Sequence, residues 1–226
     1  MKLLLIALMM IGTYSINAQN VIFNKIEKVL DNKDTFLYRV NTEVAKTGEY
    51  LGEIEIQGFS EDDRSVFLDI YKKAKKVGAN AYTYLPFDSI DGQVLDFDPA
   101  HYKIKLFFVE SKNFIDDNNT VYIFASSKKK QKIRFGTDNL ILQPRTFIKK
   151  KLLPNESYDL STRKLLGSTI HLSWKELQPG QYFEISSFQV NPNSYGDAGI
   201  SIKSGDIVKL DESYAQFLTL IYKEVN

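Results

Sequence analysis

An α+β domain followed by an all-β antiparallel sandwich is the fold class that this 226-residue chain predicts. Three observations carry it. Strand, helix and strand patterns succeed one another between Leu51 and Leu85, the arrangement of a crossover with its two strands parallel. A polar run, SKNFIDDNNT from Ser111 to Thr120, then breaks the hydrophobic patterning. Past it come short strand patterns separated by turn residues, the signature of a sandwich. The division is residues 1–18 as a leader, 19–110 as the α+β domain, 111–119 as a linker and 120–226 as the β-sandwich domain.

In the first domain, Ile22, Phe23, Ile26, Val29 and Leu30 fit a short helix, and Thr35 to Val40 fit a strand. The segment LGEIEIQGF, Leu51 to Phe59, alternates Ile54 and Ile56 with Glu53, Glu55 and Gln57, as a half-buried strand does. Ser60 stands where it can cap a helix whose first turn is acidic, Glu61-Asp62-Asp63. Val66, Phe67, Ile70, Tyr71, Ala74 and Val77 recur at helical spacing and form its apolar stripe. Lys72, Lys73, Lys75 and Lys76 fall mostly outside the stripe and read as a solvated face. Gly78 is expected to take a positive φ and end the helix, with Ala79 and Ala81 buried where the chain turns back beneath it. Ala81 to Leu85 and His101 to Val109 read as strands, joined by the long turn PFDSIDGQVLDFDPAH.

In the second domain the strand patterns are Val121 to Ser126, Lys132 to Phe135, Leu140 to Ile148, Thr169 to Ser173, Tyr182 to Ser187, Ile200 to Lys203 and Phe217 to Tyr222. Gly136, Pro179-Gly180, Asn191-Pro192-Asn193 and Ser204-Gly205-Asp206 supply turns between them.

The N-terminus reads as a secretory leader. Lys2 gives a positive start, Leu3 to Ile11 an unbroken apolar run of nine residues, and Ala18 a small residue for cleavage before Gln19. A bilayer-spanning helix needs about 20 apolar residues, so this run is too short to remain as an anchor. There is no cysteine, which excludes disulfides, thiolate metal ligands and a lipid-bearing cysteine after the leader. With 29 basic and 28 acidic residues the chain is close to neutral, which gives no argument for nucleic acid as a partner.

Two resemblances follow from these residues. The Ala18-Gln19 junction after such a leader resembles exported envelope proteins of the Bacteroidota. AKKVGANA, in which Ala74, Gly78, Ala79, Asn80 and Ala81 carry the match, resembles the helix-to-strand junction of small exported bacterial α+β domains. Among these are the YbjQ-type domains and the outer-membrane stress-sensor lipoproteins of the Rcs system. The likeness spans Leu51 to Val109 and implies a helix crossing a small sheet. The sensors use cysteines absent here, so a disulfide-based sensing role does not carry over.

Candidate chemistry is sparse. Gly-x-Ser-x-Gly, phosphate-binding glycine loops and His-Glu-x-x-His are all missing, and the two histidines, His101 and His171, fall in different domains. Asp88, Asp91, Asp96, Asp98 and His101 gather on one loop, and carboxylates so gathered can bind a hard cation, although their spacing is not that of a helix-loop-helix calcium site. The stronger lead is basic. Lys128, Lys129, Lys130, Lys132, Arg134, Arg145, Lys149, Lys150 and Lys151 are opposed only by Asp138. If their strands were neighbours they would share one edge able to attract an anionic envelope component. Lysines there equally serve to blunt an exposed sheet edge. Trp174, the one tryptophan, is expected at a strand end with a partly exposed ring.

The expectation is thus a non-enzymatic binding or structural module of the bacterial cell envelope, with no cofactor. It would be periplasmic or associated with the outer membrane or cell exterior, and would meet an anionic envelope component or envelope protein. The alternatives are a metal-assisted hydrolase using the Asp88–His101 loop, and a secreted adhesin or complex subunit.

Overall fold

The computed structural model describes residues 19–87, 96–162, 167–186, 203–204 and 206–225. The leader, Asp88 and Asp91, the Asn191-Pro192-Asn193 turn and all but the last residue of the Ile200 to Lys203 strand lie outside them. The described chain is rich in β-structure and has few helices.

The first half contains β1 (Asn20–Ile26), β2 (Tyr38–Arg39), α1 (Thr42–Lys46), β3 (Glu49–Gln57), α2 (Asp63–Lys76), β4 (Ala81–Leu85) and β5 (His101–Phe108). Its five strands lie in the order β1-β3-β5-β4-β2. β5 runs antiparallel to both β3 and β4, so the two strands that flank α2 are parallel, as expected, but β5 lies between them. Of the segment expected to be a short helix, Ile22, Phe23 and Ile26 lie instead in β1, hydrogen-bonded along β3, and Val29 and Leu30 lie in irregular chain after it. Its apolar spacing fits a helix, but the long partner strand satisfies its backbone from outside the segment.

α2 starts two residues later than expected. Asp62 is the cap, accepting from Ser65 N at 3.1 Å, while Ser60 Oγ accepts from Asp62 N at 3.0 Å. Val66, Phe67, Ile70 and Ala74 are buried against Ile54, Ile56, Ile104 and Leu106 of the sheet. The helix ends as its sequence foretells. Gly78 has φ +79, Gly78 N donates to Lys75 O at 3.1 Å, and Ala79 N donates to Ala74 O at 3.0 Å. These are the two bonds of a Schellman ending. Ala79 and Ala81 are buried, and so is Asn80. Asn80 clamps Val109, accepting from its N–H at 2.8 Å and donating to its carbonyl at 2.9 Å.

Lys75 departs from the solvated face. Its ammonium donates to Ala79 O at 2.8 Å and also to Phe36 O, tying the helix end to the preceding loop.

The second half contains β6 (Thr120–Phe124), β7 (Gln131–Phe135), β8 (Asp138–Leu142), β9 (Thr146–Lys151), β10 (Ser157–Ser161), β11 (Thr169–Ser173), β12 (Gln181–Ile185), β13 (Lys203–Ser204), β14 (Ile207–Lys209), α3 (Glu212–Ile221) and β15 (Lys223–Glu224). A four-stranded sheet has the order β11-β10-β7-β8, and a six-stranded sheet the order β13-β14-β12-β6-β9-β15. The larger sheet is not wholly antiparallel, because β12 runs parallel to β6 and β15 parallel to β9. The strand expected from Leu140 to Ile148 is two strands, broken at Pro144-Arg145, where Arg145 has φ +56.

Phe217 to Tyr222 is also not a strand. Those residues close α3, which Asp211 caps by accepting from Tyr214 N at 3.2 Å. Tyr214, Ala215, Phe217, Leu218 and Leu220 are all buried, so the helix is apolar on most sides and lies inside the protein. Its polar side chains cover β2. Ser213 Oγ accepts from Leu37 N at 3.0 Å, and Gln216 Oε1 from Arg39 N at 2.8 Å.

β6 shows how the layers join. Val121, Ile123 and Ala125 enter one core with Ile133, Phe135, Leu160 and Leu172 of the four-stranded sheet. The alternate residues Tyr122 and Phe124 enter a second core with α2, α3 and the five-stranded sheet. One strand thus has both faces buried. Among the described residues no helix is long and apolar enough to cross a membrane.

Candidate functional site

The nine basic residues do not form one patch. β6 and β9 pair with Thr120 opposite Lys151 and Phe124 opposite Phe147, so Lys149, Lys150 and Lys151 lie at the Thr120 end. Lys128, Lys129 and Lys130 follow the other end of β6, where Lys128 pairs with Glu61 at 3.2 Å. At ~3.3 Å per residue the length of β6 alone is roughly 13 Å, more than one Debye length at physiological salt. Lys132 and Arg134 alternate with the buried Ile133 and point away from the core of the four-stranded sheet.

Arg145 is a structural ion. Its Nη2 lies 2.5 Å from Asp63 Oδ1 and 3.2 Å from Ser60 O, and its guanidinium sits over the rings of Phe59 and Tyr222. Tyr222 donates to the other Asp63 oxygen at 2.9 Å. Burial raises the Asp63 carboxyl, and Arg145 and Tyr222 oppose that rise. The adjoining cavity is only about 10 Å³, room for roughly one water.

Of the acid loop, Asp96, Asp98 and His101 are among the described residues. Asp98 accepts from Ala100 N at 2.8 Å, and His101 Nε2 lies 2.6 Å from Glu55 Oε1. Gln57, His101 and Asn24 hydrogen-bond the Glu55 carboxylate and hold it down at about 2, against the effect of burial. Among the described residues no three His, Asp or Glu side chains converge on a metal position. His171 Nδ1 is 2.5 Å from Asp159 Oδ1 across neighbouring strands, with the ring largely in solvent. Trp174 is 36% exposed just past the end of β11.

The structure instead brings distant segments together around a cleft of about 320 Å³. Arg39 of β2, Thr219 of α3, Lys149 of β9 and Glu224 of β15 line it together with the buried rings of Tyr122, Phe147 and Tyr222, which form its floor. Arg39 is fixed where α3 ends, with Nη1 donating to Thr219 O at 2.8 Å and Thr219 Oγ1 at 3.1 Å. A cation is favoured there by the open carbonyls and the helix dipole.

Phe147 and Lys149 are two apart on β9 and so share a face with Tyr122. Tyr182 stacks on the Tyr122 ring at 5.0 Å, and Lys149 Nζ stands 5.1 Å from the ring centre. The Tyr122 hydroxyl donates to Asp117, which also lies 3.4 Å from Lys149. Burial pushes the Tyr122 phenol well above its ordinary value, with Asp117 and Glu224 adding to the rise and Arg39 opposing it. For Asp117, burial alone would raise the carboxyl, but Tyr122, Thr120 and Lys149 outweigh it and hold it below the carboxylate range.

Of the candidate site residues named from the sequence that are among the described residues, only Lys149 lines this cleft. Arg39, Thr219 and Glu224 carry no local signal, since their meeting depends on α3 returning to cover β2. No protein-family model, curated protein or solved structure matches the chain.

Proposed function

We propose that the protein is a non-enzymatic binding module of the bacterial cell envelope, and that the cleft between β2, α3 and the six-stranded sheet holds its ligand. The observation that carries this reading is a polar cleft of ligand size, about 320 Å³, with Arg39, Lys149 and Glu224 around one space. Its floor is rigid, because Tyr122, Phe147 and Tyr222 are buried in the common core. The chain is read as an α+β unit, 19–110, followed by a sandwich, 120–226, with α3 cementing the second to the first. Export is supported by the leader pattern, and by β1 starting at Asn20, next to the expected new terminus at Gln19.

The test is a screen by amide chemical shifts with small polar probes: sulfate, spermidine, glucose, glucuronate, glycine and a dipeptide. At least one is expected to shift Arg39, Lys149 and Glu224 together at millimolar concentration. If no probe moves these signals, the cleft is not a ligand site. Fractionation of producing cells should place the protein outside the cytoplasm with Gln19 as its first residue, and a cytoplasmic chain retaining Met1 would refute export.

A further inference from the structure

Resting on that binding role, we infer that the occupant of the cleft is a small zwitterion, a free amino acid or a short peptide. Its carboxylate meets Arg39 and Lys149, and its ammonium meets Glu224. Opposite charges line this space: Lys149 is shared with Asp117 at 3.4 Å, while Arg39 and Glu224 have no ion-pair partner among the described residues. Among the described residues neither Arg39 nor Lys149 forms an ion pair with Glu224, although all three line one cleft. A simple anion would face the repulsion of Glu224 and Asp117, and a simple cation that of Arg39 and Lys149. A molecule carrying both charges satisfies both sides.

The floor argues against the other common occupants. Tyr122, Phe147 and Tyr222 are each less than a tenth exposed, and Tyr122 has Tyr182 on its ring and Lys149 near it. A sugar or aromatic ligand that binds by stacking needs an open ring face, and the floor offers little of one. Arg39, in contrast, is prepared for a carboxylate. Thr219 holds Nη1 on two acceptors, which fixes the planar fork and leaves Nη2 with no protein acceptor among the described residues. At about 320 Å³ the cleft has ample room for an amino acid or a dipeptide.

The experiment is a titration of the purified protein with four probes: alanyl-alanine, its N-acetyl derivative, its C-terminal amide, and sulfate. Alanyl-alanine is expected to shift Arg39, Lys149 and Glu224, and each capped derivative to bind at least about tenfold more weakly. Glu224→Gln should weaken alanyl-alanine about tenfold and leave the acetylated form unchanged, a result that loss of folding would not produce. Glu224 lies in an exposed two-residue strand, so this variant preserves the core.

Equal binding of the acetylated form or of sulfate would make the cleft an anion site. Equal binding of the amide would make it a cation site. Either result overturns the zwitterion and leaves the binding role standing. Silence of all four probes also overturns it, and the binding role then falls only if spermidine, glucose and glucuronate are silent too.

Discussion

Replacing Gly78 with alanine tests the junction at the end of α2. The backbone there has φ +79, and a Cβ built on it would lie 2.2 Å from Leu30 O and 2.9 Å from Leu30 C. Two costs follow. A left-handed alanine costs roughly 1–2 kcal/mol. The contact is with backbone, so the loop at Leu30 has to move, which strains or breaks the Leu30 N–H bond to Val77 O at 3.1 Å. Losing that bond costs roughly 1 kcal/mol more. The expected loss is about 2–3 kcal/mol, and at ~2–4 °C per kcal/mol the melting midpoint should fall by at least about 4 °C. Gly136→Ala is the control. It also has positive φ, +56, but its new Cβ would meet only Tyr158 Cδ1 at an ordinary 3.4 Å. Strain alone should cost it roughly 1–2 kcal/mol. Urea unfolding of both variants separates the contributions. If Gly78→Ala loses no more than Gly136→Ala, the close approach of Leu30 has no energetic weight and the reasoning is wrong.

Arg145→Met should cost about 3–5 kcal/mol in urea unfolding, because it leaves the buried Asp63 carboxyl without its cation. Adding Asp63→Asn should restore part of that loss, and simple additivity of the two changes would refute the pairing. For Lys75, burial lowers the ammonium from 10.5 to about 8, so unfolding takes up a proton between those values. Stability should therefore rise with pH from about 8 to about 10 relative to Lys75→Met, and a flat difference would contradict it. Glu184 has the opposite sign. Burial pushes its carboxyl from 4.5 up to about 7, with Arg64 opposing and Asp63 adding to the shift. Its contribution is whole below about 4.5 and lost as pH rises through about 7, so Glu184→Gln should remove that decline from the melting curve.

Local chemistry made part of this fold readable. The stripe on α2, its acidic first turn and the Gly-Ala-Asn-Ala ending each act within a few residues, and the structure places them nearly as read. β3 and β5 were legible because Ile54 and Ile56, and Tyr102, Ile104 and Leu106, recur at every second position and are buried together. Errors arose where partners are remote. β1 carries helical spacing but is held by β3, and α3 carries strand-like residues but begins with the Asp211 cap that Phe217 to Tyr222 do not include. Pro144-Arg145 should have divided the Leu140 to Ile148 segment, since proline is poorly suited to a strand interior. The basic cluster misled for a related reason. Closeness in sequence placed its lysines at opposite ends of a strand pair, while Arg39, Lys149 and Glu224 meet from three remote segments.

The most direct measurement is a crystal structure of the protein soaked with alanyl-alanine. The account predicts electron density in the cleft, with the carboxylate at Arg39 and Lys149 and the ammonium at Glu224. Density confined to the Lys128–Lys130 turn or the His171–Asp159 face, with the cleft holding only water, would contradict it.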